Sequence, residues 1–469
     1  MSLNLKDTIS LFLLVISVSC IITIISDRRD PKGSLAWILT FIVSKPLGII
    51  LYFFIGRNWR NKNLKNAAYF FHEVIAKRYN FNLNESKFKQ IQQLLIKNDF
   101  SILFPNNSIE IFIDGETKYE SLKNELRKAK HHIHLEYYIV KDDDIGNEIK
   151  DILISKASEG IKVRFIIDRI GSISLSRKYI KNLRSAGINV LFYSYITNPF
   201  YRNHRKIVVI DGNIGFVGGM NIGDEYAGKG KLGFWRDLHI KIQGDSVLGL
   251  QSAFIHDFHM INRSKEELAT LEKELLLYFP IINSKDFCPI QFVESGPGSQ
   301  NPSIMQAIVK MISNAKDHIY IITPYFIPSE SLIVALKIAA LSGVDVKILF
   351  PGKYDHFYVH YASKTFLHEM TKHGIKVYLY REDSFLHSKA VYVDSEICTL
   401  GNTNIDIRSF ELNFEANVVI YDSETTKRLE NLFLEDLNGS REVDSTYFEN
   451  SSTFKKFIEN LMRIFSNSM

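Results

Sequence analysis

The sequence predicts an α/β fold: two copies of one strand–helix–strand unit packed about a pseudo-twofold axis, preceded by an N-terminal membrane-helix hairpin. Three observations predict it. Strand-like and helix-like stretches alternate from about Leu103 onward. A polar set strung along an apolar strand, "NHRKIVVIDGNIGFVGGMN" from Asn203 to Asn221, returns in altered form as "LHSKAVYVDSEICTLGNTN" from Leu386 to Asn404. Ahead of both, Thr8 to Ile25 is an uncharged, apolar run of the length that crosses a bilayer.

The chain has 469 residues, 46% hydrophobic and 23% charged, a globular composition with room for two or three cored domains. A net charge of +5 and a pI near 8.7 suit anionic membranes or phosphate substrates without selecting between them. Cys20, Cys288 and Cys398 are scattered, without metal-ligand spacing, which argues against a disulfide framework and for a reducing compartment.

The first apolar run is read as a membrane span rather than a cleaved signal, because Asp27, Arg28, Arg29 and Asp30 follow it in place of a small-residue cleavage site. A second run, Ser34 to Ile55, carries Trp37, Tyr52, Phe53 and Phe54 toward its ends and Lys45-Pro46 at its centre. A lysine at mid-bilayer costs roughly 3 kcal/mol. This segment is therefore expected to be tilted, kinked or re-entrant, with Lys45 snorkelling or set against the first helix. Arg57, Arg60, Lys62 and Lys65 flank it with no acid among them, so the remainder of the chain is expected on the cytoplasmic side. Residues 1–60 thus hold two membrane segments, at about 8–25 and 34–55, in a multi-pass cell-membrane protein; residues 61–102 read as a linker region.

Beyond the linker, Lys130 to Val140 and Ile161 to Asp168 read as buried strands, with an amphipathic helix over Gly146 to Gly160 between them. His318 to Pro328, a helix over Glu330 to Ser342, and Val344 to Pro351 repeat the pattern. The registers agree: Ala157 and Ala340 are 183 positions apart, as are His204 and His387. Two domains follow, 103–270 and 271–469, joined over Leu268 to Pro289, and a duplicated fold tends to build one site at its seam.

In the first copy His204, Lys206 and Asp211 give H-x-K-x4-D, followed by Gly218 and Asn221. In the second, His387, Lys389 and Asp394 give the same spacing, followed by Gly401 and Asn404. Positions i and i+2 of a strand share a face, so each histidine points with its lysine while "IVVI" and "AVYV" go to the core. These six motif residues are the candidate catalytic set. Lys206, Lys389, Asn221 and Asn404 are the candidate phosphate ligands. The lysines neutralise the non-bridging oxygens of a phosphodiester. One neutral histidine attacks phosphorus and the other, protonated, donates to the leaving alcohol. That chemistry requires no metal and no cofactor.

The paired motif resembles the phospholipase D superfamily. The surroundings "LAWIL", "LGIILYFFIGRN", "GGMNIGDEY", "WRDLHIKIQG", "ITPYFIP" and "RSFELNFEAN" narrow the resemblance to bacterial-type cardiolipin synthases, from about Arg29 to the C-terminus. It implies two phospholipase D-like α/β repeats and phosphatidyl transfer between two phosphatidylglycerols through a phosphatidyl-histidine, giving cardiolipin and glycerol. The alternative it leaves is a hydrolase, or a transferase with another alcohol acceptor. Phosphatidylglycerol and anionic membrane lipid are then the partners, and nucleic acid is not. By position, Asp237 and Glu415 match the carboxylates that fix the histidine tautomers, while Asp211 and Asp394 are expected to close the turns after each strand. Gly218-Gly219 and Gly401-Asn402 stand where the superfamily often has glycine-serine.

Ala227 to Trp235 is an exposed loop. Asp142 to Asp144 is a solvated turn rather than a metal site. Tyr138 and Tyr325 stand at corresponding places and are candidate pocket-lining residues. Phe454 to Phe465 is an amphipathic helix with Phe454, Phe457, Ile458, Leu461 and Phe465 on one face, expected to dock on the catalytic domain, with membrane contact through Lys455, Lys456 and Arg463 as the alternative.

Overall fold

The computed structural model of the protein describes residues 4–26, 31–56, 86–193 and 201–466, apart from 263, 283, 285, 298 and 300. Asp27 to Asp30, Arg57, Arg60, Lys62, Lys65 and the greater part of the 61–102 linker lie outside the described residues. The chain forms an N-terminal unit and a larger body that carries both repeats.

In the N-terminal unit the helix Leu5–Ser26 has 22 residues and a mean hydropathy of 2.7. At 1.5 Å per residue it is about 33 Å long, the thickness of a bilayer core. The second run breaks at Ser44, whose extended backbone separates the helices Pro31–Val43 and Lys45–Leu51. The cause is Pro46, which sits in the first turn of the second helix, where its missing N–H is harmless. Neither piece is long enough to cross a bilayer alone. Among the described residues, Leu5–Ser26 is the one helix that is. Ile24, Phe41 and Tyr52 form a small core in this unit, with the Trp37 and Phe41 rings meeting Tyr52 edge-on at 5.6 Å.

The strands of the first half are β1 (Leu103–Phe112), β2 (His132–Tyr137), β3 (Lys162–Asp168), β4 (Asn189–Tyr193), β5 (Arg202–Asn203), β6 (Lys206–Ile210), β7 (Ile214–Gly218), β8 (Phe234–Arg236) and β9 (His239–Gly244). Those of the second half are β10 (Phe287–Ser295), β11 (His318–Ile322), β12 (Phe326–Ile327), β13 (Asp345–Phe350), β14 (Lys376–Leu379), β15 (Ser384–Leu386), β16 (Ala390–Val393), β17 (Ile397–Gly401), β18 (Ile405–Asp406), β19 (Asn413–Ile420) and β20 (Arg441–Val443). β2–β3 and β11–β13 are the expected parallel pairs. They are joined by the helices Asp144–Ser158 and Glu330–Leu341. Asp143 starts the former by accepting from Gly146 N, as the reading of Asp142 to Asp144 as a turn requires.

The sheet order shows the duplication. Outward from the seam the first half runs β1-β9-β7-β6-β2-β3-β4 and the second β10-β19-β17-β16-β11-β13-β14, with β20 added at the edge. Equivalent strands β1 and β10 pair antiparallel at the centre, which is the pairing a twofold axis produces. A hydrophobic core spans the seam, with Val209, Val217 and Ile240 from one half and Tyr320, Leu400 and Val418 from the other. The buried guanidinium of Arg205 ties the halves again, reaching Asp257 and Glu294 at 2.6 Å each.

The helix Lys89–Asp99, within the stretch read as linker, buries Ile91 and Leu95 in the core of the second repeat. The boundary placed at residue 270 falls inside the helix Lys265–Lys273, and the first strand of the second repeat begins at Phe287. The C-terminal helix Thr453–Phe465 packs on the helix Phe357–Thr371 through Met462 and its ionic side chains, with only part of the expected apolar face turned in. Arg463 pairs with Glu369 at 2.7 Å and stacks on Phe366, and Glu459 is its buried residue, whereas Phe454 and Phe457 are exposed.

Asp211 and Asp394 stand at the ends of β6 and β16 in the left-handed region, with φ of 53° and 55°. The carboxylate of Asp211 accepts from the backbone N–H of Lys130, His131 and His132 at 2.8–2.9 Å. That of Asp394 accepts from Lys316, Asp317 and His318 in the same way. Each aspartate therefore closes its hairpin and clamps the start of the neighbouring strand. Asp211→Ala or Asp394→Ala should lower stability by about 2 kcal/mol or more, since three donors lose one ionised acceptor. A fall in the thermal unfolding midpoint, with activity per folded molecule near the parent's, checks this.

Candidate active site

Each histidine strand is completed by the opposite half. β5 lies parallel to β19, and β15 lies parallel to β8. His204 N donates to Phe414 O at 3.0 Å, and His387 N donates to Arg236 O at 2.7 Å. The side chains cross as the backbones do. Nδ1 of His204 is 2.9 and 3.0 Å from the two carboxylate oxygens of Glu415, in the second half. Nδ1 of His387 is 2.7 Å from Oδ2 of Asp237, in the first. With Nδ1–H given to a carboxylate, the Nε2 lone pair of each ring is left for the pocket.

The lysines lie beneath. Lys206 Nζ donates to His204 O at 2.7 Å. Lys389 Nζ donates to His387 O, and lies 2.7 Å from Nδ1 of that ring and 3.9 Å from Asp237 Oδ2. Both are essentially buried. Burial brings the Lys206 ammonium down to about 7 and that of Lys389 to about 8. Burial, then the two lysines and His387, holds His204 well below the ordinary imidazole value, so its ring is neutral. Burial and Lys389 also lower His387, against the pull of Asp237. Burial opposes the charge of Asp237, but Lys389 and His387 outweigh it and keep the carboxylate ionised. Burial dominates at Glu415 and pushes it up to about 8. These groups feel one another's charges across the seam because they are buried together.

Asp211 and Asp394 do not join it. Five residues of extended strand place Asp211 about 17 Å from Lys206, so the motif's aspartates, counted with the catalytic set, are turn-closing residues. The asparagines are close but occupied. Asn221 donates to the Tyr226 hydroxyl at 2.7 Å and accepts from Ile139 N, while Asn404 bonds Asp406 and leaves its Oδ1 buried without a partner. Each amide nitrogen still has a second N–H to offer a phosphate oxygen.

The departures from glycine-serine have physical reasons. A Cβ at Gly219 would stand 2.1 Å from Asp237 Oδ1, so no side chain fits there. Asn402 instead spans the halves, donating to His204 O at 2.7 Å and accepting from Ala416 N at 2.8 Å. Sequence reasoning did not single out Asp355, noted Asn402 only as a departure, and counted Trp235 in an exposed loop although it is buried. The Trp235 ring lies 5.1 Å from that of His387, a placement legible in its i, i+2 relation to Asp237. Tyr138 meets His204 edge-on at 5.0 Å. Tyr325 donates to Asp355 at 2.5 Å, and the charge of Asp355 is felt at both His387 and Lys389. Among the described residues no cluster of histidine, cysteine or acidic side chains is disposed to hold a metal ion.

Two phospholipase D-like halves, each lending a carboxylate to the other's histidine, define the class. Comparison with known proteins narrows it. Residues 122–229 and 308–437 match the family described as "Cardiolipin synthase, PLD-like domain", and residues 15–57 match the phospholipase D-nuclease N-terminal family. The chain is 40% identical to the major cardiolipin synthase ClsA of Bacillus subtilis over 98% of both chains. It is also 40% identical to a cardiolipin synthase of Halalkalibacterium halodurans, over 95% of this chain and 90% of that one. Among solved structures, phosphatidylserine synthase of Haemophilus influenzae shares the fold with a TM-score of 0.63 at 17% identity, covering 82% of this chain and all of that one. The chain belongs to the bacterial cardiolipin synthase family of the phospholipase D superfamily. It is a phosphatidyltransferase and a membrane protein.

Two outcomes test the site. Asp237→Asn and Glu415→Gln should each reduce turnover by about 10²- to 10⁴-fold, although Glu415 lies in the opposite half from the histidine it holds. Loss confined to KM would show that these carboxylates bind rather than orient. The second is a pH dependence. Lys206 and Lys389, at about 7 and 8, gain their protons as pH falls, and Glu415, at about 8, loses its charge in the same direction. Vanadate should therefore bind more tightly from about pH 9 down to about pH 7, with proton uptake. Competitive inhibition and calorimetry in two buffers measure both quantities.

Proposed function

We propose that the protein is a cardiolipin synthase that joins two phosphatidylglycerols through a phosphatidyl-histidine. The observation that carries this is the pair of imidazoles, each oriented by a carboxylate of the other half, above two buried lysines. Nε2 of one histidine attacks phosphorus, forming a P–N bond. The bond to the headgroup oxygen breaks, and glycerol leaves with a proton from the other histidine. The hydroxyl of a second phosphatidylglycerol then attacks the same phosphorus, gives its proton to that second histidine, and displaces the first. Lys206 and Lys389 hold the non-bridging oxygens, with Asn221 and Asn404 as their expected helpers, and the chemistry proceeds without metal or cofactor.

Acceptor choice follows from location. The helix Leu5–Ser26 anchors the chain in the cell membrane, the kinked segment after it reads as a second pass, and the basic residues at 57–65 favour a cytoplasmic catalytic body. At a bilayer surface the effective concentration of lipid hydroxyl is high, so lipid competes with water for the intermediate. Phosphatidylglycerol labelled in the headgroup should yield cardiolipin and free labelled glycerol in equal amounts, and excess glycerol should reverse the reaction. Phosphatidic acid as the main product would make the enzyme a hydrolase.

A further inference from the structure

The helix Thr453–Phe465 turns part of its apolar face outward, unlike a helix of a water-soluble domain. Its polar positions Lys455, Glu459 and Arg463, spaced by four, face the helix Phe357–Thr371. Lys455 lies over the Tyr361 ring at 6.0 Å, buried Glu459 lies in the field of Lys364 and His368, and Arg463 pairs with Glu369 at 2.7 Å. Of its apolar positions, Ile458, Leu461 and Met462 are half-buried, Met462 against the core of the second half, but Phe454, Phe457 and Ile464 face out, 75%, 63% and 74% exposed. A helix against water turns its apolar stripe inward. One that spends its ionic side on the protein and presents phenylalanines outward is built for an apolar exterior.

The surface continues to the active site. Lys455 caps Tyr361, whose ring centre is 6.4 Å from that of Tyr354. Tyr354 begins the stretch Tyr354–Tyr358, in which Tyr354 and Phe357 are also exposed, and Asp355 of that stretch accepts from Tyr325 and is near enough for its charge to act on His387. The corresponding loop of the first half, after β3, exposes Ile173 and is anchored on Tyr138, the residue against His204. The exposed set is aromatic and flanked by Lys455 and Lys456, the composition of a membrane interface on anionic lipid.

We infer that the C-terminal helix and the Tyr354–Tyr358 loop form one docking face that seats the pocket on an anionic phospholipid bilayer, independently of the N-terminal anchor. The inference rests on the lipid-transfer reading above, and commits to lipid rather than to a second copy or the chain's own N-terminal segment. With the pocket mouth held at headgroup level, phosphatidylglycerol enters laterally without leaving the bilayer.

The test uses the full chain in phosphatidylglycerol vesicles, with Cys20→Ser to remove the cysteine that is not buried and Phe457→Cys to carry an environment-sensitive fluorophore. Nitroxide-bearing lipids should quench the probe, and iodide should quench it several-fold less than it quenches the free dye–cysteine adduct. Iodide quenching equal to that of the adduct overturns the proposal, because the helix then faces water. Shielding from both quenchers also overturns it, because protein then covers the face. Separately, Phe454→Ser/Phe457→Ser should raise KM on vesicles about tenfold or more while leaving turnover of monomeric short-chain phosphatidylglycerol unchanged. Equal KM on vesicles counts against docking. Absence of turnover on either substrate by the parent chain would instead defeat the lipid-transfer reading and leave the quenching result to stand by itself.

Discussion

Neither half of this protein contains a finished histidine. Glu415 holds the ring of His204 and Asp237 holds that of His387, each across the seam. That crossing explains why the strands at the centre are arranged as they are. β5 must reach β19 and β15 must reach β8, so the equivalent strands β1 and β10 are brought into register between the halves. Arg205, the neighbour of His204, adds a buried ionic tie to Asp257 in its own half and Glu294 in the other. A buried ion network is poor as a source of stability, but breaking one partner is costly, so it fixes the position of the seam.

The same burial sets the chemistry. Two lysines, two histidines and two carboxylates sit together with little access to water, and desolvation lowers the bases and raises Glu415. In the proposed reaction the phosphodiester anion would restore charge to the lysines, in a low-dielectric setting where each contact is strong. Hydroxyl donors from a serine are missing in both halves for different reasons: the Asp237 carboxylate fills the space at Gly219, and Asn402 is engaged in bracing the backbone of His204.

The duplicated frame is symmetric, but its fittings are not. A glutamate stands opposite an aspartate, Gly219 opposite Asn402, and the Tyr138–Ser172 contact opposite the Tyr325–Asp355 hydrogen bond. These differences give the two imidazoles different surroundings, as the proposed two-step transfer, in which they do different work, would require. Outside the pocket, the apolar face of the C-terminal helix and the loop beside His387 extend the asymmetry to the surface, where the second half presents the larger apolar face.

Much of this was legible in the sequence because it depends on local spacing. Period-two alternation placed His204 with Lys206 and His387 with Lys389, the 183-residue offset declared the repeat, and Lys45-Pro46 marked where the second apolar segment breaks. The turn-closing role of Asp211 and Asp394 follows from their position at strand ends, which sequence also shows. What sequence cannot carry is which carboxylate meets which histidine. Asp237 is closer in the chain to His204 than to His387, yet it serves His387. The outward turn of Phe454 and Phe457 was equally hidden, since an apolar stripe has the same periodicity whichever way it faces. Partner choice across a seam and the direction of a helix face are decided by how distant segments pack, and only the tertiary structure fixes them.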